Sequence, residues 1–353
     1  MHGGTGGTGV YIVAIWAIAE GLRLAGDGHR EPVPAAGDSR VINKSATIAV
    51  TGGRGFLGRF VVEELRRRGY SNPLPLGSKD FDLVDSARTD AYFAEHRPEA
   101  IIHLAAAVGG IGANKENPGW FSYANSMMGA NVFECARKYE ARKVVTIGTI
   151  CVYPGDAPVP TPESAMFEGF PAIDTAPYGI AKRNVWMMGA AYQRQYGLNA
   201  VFLIPTNLYG PHDHFDEAKS HVIPALIRRF IEARENGTPE VMIWGDGSAT
   251  REFLYAADAA RGIVDALERY DAPEPVNLGT GNEISIKTLA EEIKAQTGYE
   301  GALTWDTDKP TGAPRRSLAV ERAREAFGFQ AETPFKDGLR RTIEWYELER
   351  KKD

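Results

Sequence analysis

Residues 46–69 read ATIAVTGGRGFLGRFVVEELRRRG. The first six make a short β-rich run, the glycines follow at once, and Leu57, Phe60, Val61 and Leu65 then recur at helical spacing until Gly69 stops them. The order is strand, glycine turn, helix. Gly52, Gly55 and Gly58 stand three apart in that turn. The first permits a tight bend, the second lets backbone approach a pyrophosphate, and the third lets helix and strand pack closely, with the anion at the helix N-terminus. A glycine turn that serves only the fold is the plainer alternative, and the flanking strand and helix weigh against it.

Outward from that unit, buried-strand candidates recur at 73–76, 100–105, 143–149, 199–204 and 275–280. Helix-length segments fall at 120–139, 178–196, 222–236, 256–269, 286–297 and 334–349. Strands alternating with helices predict a parallel sheet covered on both faces. Residues 1–45 carry neither strand alternation nor a sustained helical stripe, and read as an extension outside the folded body.

Composition narrows the function. Of 353 residues, 40 are Lys or Arg and 46 are Asp or Glu, a net charge of −6, so no basic field draws the chain to nucleic acid or to an anionic membrane. Small molecules are the expected partners. The apolar run 10–19 is too short to cross a bilayer, and no Lys or Arg precedes it as a signal peptide requires. Two cysteines, Cys135 and Cys151, make no disulfide framework in a chain this long, which suits a reducing compartment and makes the cytoplasm the default.

An NAD-selective site places an acid about 20 residues beyond the glycine turn, at the end of the second strand. Here that strand is followed by Gly77, Ser78 and Lys79, with no acid until Asp80. A hydroxyl and a cation there, with Arg54 in the glycine turn, suit a 2′-phosphate and favour NADP over NAD. The alternative is that Lys79 and Arg54 are solvated surface charges. Tyr178 and Lys182 stand four apart in YGIAK and share a helical face, where an ammonium beside a phenol favours the phenolate and makes a usable acid/base near neutrality.

With TGGRGFLG (51–58), YGIAK (178–182) and PTNLYGP (205–211) in place, the chain resembles the extended short-chain dehydrogenase/reductases. Within them it is most similar to the GDP-L-fucose synthases, through AAAVGGI (105–111), CVYP (151–154), PYGIAK (177–182), PTNLYGPHD (205–213), SHVIPALIRRF (220–230) and WGDGSATREFLY (244–255). The resemblance covers about residues 48–346. It implies a Rossmann-type, doubly wound α/β fold with a smaller, interleaved C-terminal substrate domain. The nucleotide domain would comprise 46–211 with 252–279, and the substrate domain 212–251 with 280–353.

The activity implied is NADPH-dependent 3,5-epimerisation and 4-reduction of GDP-4-keto-6-deoxy-D-mannose. By resemblance Tyr178 is the proton donor, Lys182 its partner, Cys151 and His221 the acid/base pair of epimerisation, and Thr149 a hydroxyl where the family usually carries serine. Moving a proton between the two faces of a sugar ring calls for two groups of mid-range pKa, and a thiol and an imidazole qualify. Cofactor contacts fall on Gly52, Gly53, Arg54, Gly55, Phe56, Leu57, Gly58, Ser78, Lys79, Ala105, Lys182, Pro205, Thr206, Asn207, Leu208 and His221. Substrate contacts fall on Arg229, Trp244 and Arg251, with no metal.

Each assignment has a plainer rival: a buried small hydrophobe for Cys151, the reading kept for Cys135; a surface or capping role for His221; exposed charges for the two arginines. His103, His212 and His214 read as structural. Ile150 and Thr311 depart from the family pattern, which expects a serine and an aspartate there. The resemblance also implies a homodimer through the helices 120–139 and 178–196, with Phe121, Met128, Met187 and Met188 as candidate interface residues. An NAD-dependent 4-epimerase, a reductase of a related deoxy-sugar, and a non-catalytic dinucleotide sensor are the rival functions.

Overall fold

The computed structural model describes residues 42–216, 220–309 and 312–352. Six parallel strands form the main sheet in the order β2-β1-β3-β4-β5-β9: β1 Thr47–Thr51, β2 Asn72–Leu76, β3 Ala100–His103, β4 Lys143–Ile147, β5 Asn199–Pro205 and β9 Val276–Leu278. Side chains alternate across a strand, so each strand supplies both faces. Ile48, Val50, Ile102, Val145, Val201 and Leu203 meet α1 (Phe56–Arg67) and α7 (Ala256–Arg269) on one face. Ala49, Ile101, Val144, Ala200 and Phe202 meet α4 (Pro118–Lys138) and α5 (Ala176–Tyr196) on the other, flanked by α2 (Ser86–His96), with the short α3 (Ile111–Glu116) leading into α4. Both faces are covered, as near-continuous apolar strands require. At the end of α1 the largely buried Arg68 guanidinium reaches Glu64, Asp265 and Glu268 and ties α1 to α7.

A second sheet is built on β8 (Thr250–Tyr255), which pairs parallel with β6 (Asn207–Tyr209) and β12 (Arg315–Arg316) and antiparallel with β10 (Glu283–Ser285). Beside it lies the parallel pair β7 (Glu240–Trp244) and β11 (Ala302–Asp306). α6 (Val222–Glu235), α8 (Ile286–Thr297) and α10 (Phe335–Arg350) close this second core. Glu252, fully buried at the centre of β8, accepts main-chain N–H bonds from Thr280, Gly281 and Leu318. Thr280 and Gly281 follow β9, so one carboxylate fastens the second sheet to the edge of the first.

The doubly wound α/β fold expected from the sequence is the fold observed. Four details differ. The boundary expected at 252 falls inside β8, all of which belongs to the second sheet. The short helix α9 (Glu321–Phe327) and Phe329 pack in the core of the main sheet, against α7, although their segment was assigned to the substrate side. The extension does not run to residue 45: Ile42 is buried in that core, and Lys44 pairs with Glu268 at 2.6 Å while lying over the Tyr70 ring. The rest of the extension lies outside the described residues. Finally, Phe121 and Met128 are buried within the chain, the plainer of their two readings.

Candidate active site

The glycine turn is shaped by two close approaches. Gly52 adopts φ +71° with its Cα side against the backbone of Leu104 and Ala105, and a Cβ on Gly58 would stand 2.1 Å from the Gly52 carbonyl oxygen. No side chain fits at Gly58. Gly55 is the N-cap of α1; no side chain caps that end and no acid sits in its first turn, which Phe56 and Leu57 open. Those N–H groups and the helix dipole suit a pyrophosphate, so the residues present fit a dinucleotide. Gly53 packs against Val50 and Pro75, and Ala105 N–H donates to Thr51 Oγ1 at 3.3 Å.

At the end of β2 the sequence lacks an acid, but the fold returns one. Asp80 accepts from the Gly77 N–H at 2.8 Å and pairs with Arg54 at 3.0 Å, while Ser78 and Lys79 are exposed beside it. A cluster of Arg54, Ser78 and Lys79 can take a 2′-phosphate, with Asp80 orienting the arginine.

At the far side of the same cleft, Pro205 ends β5 and the chain crosses to the second sheet within two residues. Thr206 donates its N–H to Leu278 and its hydroxyl to the Glu252 carbonyl, and Asn207 donates its amide to that same carbonyl. Leu208 follows on β6, partly buried. His221 is the exposed N-cap of α6, and its side chain does not cap that helix.

Tyr178 and Lys182 occupy one buried face of α5, with the Lys182 ammonium 6.0 Å from the phenol ring centroid. Thr149 hydrogen-bonds the phenol and accepts the Cys151 N–H at 3.3 Å. Cys151 lies half-buried in the single 3-10 turn Ile150–Val152, with its carbonyl packed directly on Gly179, where a Cβ would meet that oxygen at 2.2 Å. Ile150 packs partly against the core beside it. Thus Thr149, Cys151, Tyr178 and Lys182 form one unit.

Burial dominates its electrostatics. It pushes the Tyr178 phenol well above its ordinary value; the neighbouring Cys151 adds to this and the Thr149 hydrogen bond partly offsets it. The expectation that Lys182 would draw Tyr178 toward phenolate is therefore corrected, because both groups are desolvated and the phenol stays neutral. Lys182 itself is pulled down to about 8 by burial. Near it His103, at the end of β3 and only 1% exposed, is held neutral at about 3 by burial and by the lysine charge, with Nδ1 2.8 Å from Thr51 Oγ1. The burial and the Thr51 contact agree with a structural His103, which also lies close enough to Lys182 to feel its charge. Cys135 is buried, its thiol pushed up to about 11 by burial first.

On the second sheet Arg229 donates to the Met242 carbonyl, and Trp244 is 69% exposed with the Lys309 ammonium 5.9 Å above its ring. Arg251 donates to the carbonyls of Thr250 and Ala313, and its register neighbour across the sheet is Arg316. Among the described residues neither Arg251 nor Arg316 forms an ion pair. Adjacent guanidinium groups of this kind favour an anion between them. The sequence reading missed Arg316. Thr311 lies outside the described residues.

A parallel sheet with a glycine turn at one strand end and a Tyr–Lys helix at another defines a dinucleotide-dependent enzyme acting on a carbonyl or carbinol. The chain belongs to the NAD dependent epimerase/dehydratase family, whose model matches residues 48–279. GDP-L-fucose synthase 1 of Arabidopsis thaliana is 40% identical over 308 residues, 87% of this chain and 95% of that protein. A GDP-L-fucose synthetase from Naegleria fowleri, solved bound to NADP, superposes with a TM-score of 0.80 at 30% identity, covering 88% of this chain and 97% of the other. A GDP-6-OMe-4-keto-L-xylo-heptose reductase from Campylobacter jejuni gives 0.82 at 27% identity, covering 88% and 99%.

Two outcomes follow from this geometry. Arg54→Ala weakens NADPH more than NADH, by roughly 1.5–3 kcal/mol for a charge-assisted contact; titration of both cofactors checks it, and equal weakening would show that Arg54 does not read the phosphate. Lys182→Met raises the melting temperature of the cofactor-free protein at pH 7. The folded-state pKa lies below that of the unfolded chain, so between about 8 and 10 only the unfolded state holds the proton, and below 8 folding must carry a buried ammonium. The stability gain, on the order of 2 kcal/mol, is full below pH 8 and fades as pH rises toward 10. A variant no more stable than wild type at pH 7 contradicts it.

Proposed function

We propose that the protein epimerises GDP-4-keto-6-deoxy-D-mannose at C3 and C5 and reduces it at C4 with NADPH, giving GDP-L-fucose. The observation that carries this reading is the packing of α5 on the turn 149–152, which brings a neutral phenol, a lysine and a thiol together. The names of the relatives support it.

When bound, NADPH supplies the hydride. Gly52, Gly53, Gly55, Phe56, Leu57 and Gly58 hold its pyrophosphate, Arg54, Ser78 and Lys79 its 2′-phosphate, and Ala105, Lys182, Pro205, Thr206, Asn207, Leu208 and His221 its nicotinamide half. Arg229 and Arg251 hold the substrate diphosphate, and Trp244 offers a flat face to base or sugar.

Protons on C3 and C5 are acidified by the ketone between them. Cys151 and His221 act from opposite ring faces, one removing a proton from carbon and the other delivering one, so each centre inverts with no net change in protons. As hydride reaches C4, Tyr178 gives its phenolic proton to the carbonyl oxygen. A neutral phenol is the form that can donate, and Thr149 aims it. Reduction of a related GDP-4-keto-sugar without epimerisation is a second reading, favoured by the similarity to the Campylobacter jejuni reductase.

Supplying GDP-4-keto-6-deoxy-D-mannose and NADPH, and following absorbance and product stereochemistry, separates the two. Cys151→Ser slows deuterium exchange at C3 and C5 by about 10²–10⁴-fold, the usual contribution of a positioned acid/base, and leaves NADPH affinity unchanged. Exchange at the wild-type rate would remove Cys151 from the mechanism.

The same reading includes a cytoplasmic homodimer. Among the described residues no helix is long and apolar enough to cross a membrane. Trp120 and Tyr123 on α4 and Ile180 and Met187 on α5 are exposed large apolar groups on the two paired helices, in place of the buried Phe121 and Met128. A closed two-fold bundle covers such faces. Light scattering should give twice the 38.5 kDa chain mass at micromolar protein; a mass of one chain at every concentration would sink the dimer and leave the chemistry standing.

A further inference from the structure

Arg183 follows Lys182 on α5. Its Nε donates to the Val152 carbonyl at 2.7 Å and its Nη1 to the Gly169 carbonyl at 2.9 Å. Among the described residues it forms no ion pair, and its Nη2 is buried without a partner. Burial lowers its pKa. A guanidinium without a counter-charge, next in sequence to a buried lysine, is an expensive way to satisfy two carbonyls.

What it holds gives the reason. Arg183 lies four residues after Gly179, so both share one helical face. Gly179 receives the Cys151 carbonyl at a distance that leaves no room for a Cβ, and Arg183 takes the next carbonyl along, that of Val152. The Cys151 N–H is already held by Thr149. The turn's own bonds, Val152 N–H to the Thr149 carbonyl and Tyr153 N–H to the Ile150 carbonyl, hold the rest, so the backbone at Cys151 is pinned from both sides, by the turn and by α5, and the side-chain torsion remains to place the thiol. The bond to Gly169 fixes the far end of the loop that leaves Cys151, which is closed again by the pairing of Pro154 with Pro171.

We propose that Arg183 is the positioning residue of the epimerisation half-reaction, holding the Cys151 thiol in register with the helix that carries Tyr178 and Lys182. This rests on the reading of Cys151 as an acid/base group. A lysine could reach one of the two carbonyls but cannot fork to both.

The test uses the full-length enzyme with NADP⁺ in place of NADPH, so that deuterium exchange at C3 and C5 of GDP-4-keto-6-deoxy-D-mannose is read without reduction. Hydride transfer is then measured separately with NADPH. Arg183→Met lowers the exchange rate by about 10²-fold, as a displacement near 1 Å does, with KM and hydride transfer changed by less than about threefold. Product sugars shift toward those reduced without inversion. Arg183→Lys recovers part of the exchange. The rate of iodoacetamide alkylation also changes in the Met variant and reports Cys151 directly, because Cys135 is buried.

Exchange at the wild-type rate in Arg183→Met overturns the proposal, as does an equal fall of exchange and hydride transfer in both variants, which would mark plain structural damage. If Arg183→Met does not fold, Arg183→Gln, which keeps a single donor group, is read by the same ratio of exchange to hydride transfer. Cys151→Ser run alongside separates the two levels: exchange undiminished there refutes the acid/base reading itself, whereas exchange lost there but intact in the Arg183 variants refutes only the positioning role.

Discussion

One carboxylate holds the two halves of this molecule in register. Glu252 has no exposed surface, and burial alone would drive it toward the neutral acid, yet it accepts main-chain N–H bonds from the turn after β9 and from Leu318. Its own carbonyl takes the hydroxyl of Thr206 and the amide of Asn207. The chain thus passes from the main sheet to the second sheet at two places, 206–207 and 279–281, and both are fastened to the same residue. Leaving those N–H groups buried and unmet would cost roughly 1–3 kcal/mol each. The cleft between the sheets has its shape because this joint does not slide.

On the main-sheet side of that cleft, desolvation sets the chemistry. Tyr178, Lys182 and His103 are all pushed toward their neutral forms by burial, and charge–charge effects are secondary. A neutral phenol donates a proton, and a lysine of reduced basicity can be tuned by whatever charge binds near it. On the opposite side two arginines lie next to each other without a carboxylate among the described residues. Burial keeps the Tyr178, Lys182 and His103 side neutral, and the Arg251–Arg316 side carries positive charge.

The sequence was most legible where one short segment contains its whole explanation. Gly52, Gly55 and Gly58 sit between a strand and a helix within fifteen residues, and the Tyr178–Lys182 spacing needs only one helical turn. The six strands of the main sheet were found for the same reason, each in a short run of its own, whereas β7, β8 and β11 of the second region were not. What escaped was set by partners distant in sequence. β6, β10 and β12 have two or three residues each and exist through pairing with β8. Asp80 folds back onto Gly77, which the order of residues does not announce. Arg316 acquires meaning from a neighbour about 65 positions away, and Ile42 is buried only because β1 and α7 converge above it. The phenolate expectation failed for a related reason: four-residue spacing says that two side chains share a face, and says nothing of how much water reaches that face.

The pairing of α1 with α7 carries a consequence for how this chain is made. Val61 and Leu65 are covered by Ala260, Ile263, Val264 and Leu267, and Arg68 finds Asp265 and Glu268 in the same helix. These partners are translated about 200 residues later, which at roughly 5–20 residues per second is 10–40 s. During that interval one face of β1, β3 and β4 and the apolar stripe of α1 are on the ribosome without their cover. β9, which completes the main sheet, emerges later still. The dinucleotide lobe cannot finish folding as a separate early unit. Nascent chains of this protein are accordingly clients for whatever shields apolar surface during synthesis, and truncations ending before residue 256 leave the first half of the sheet permanently half-dressed.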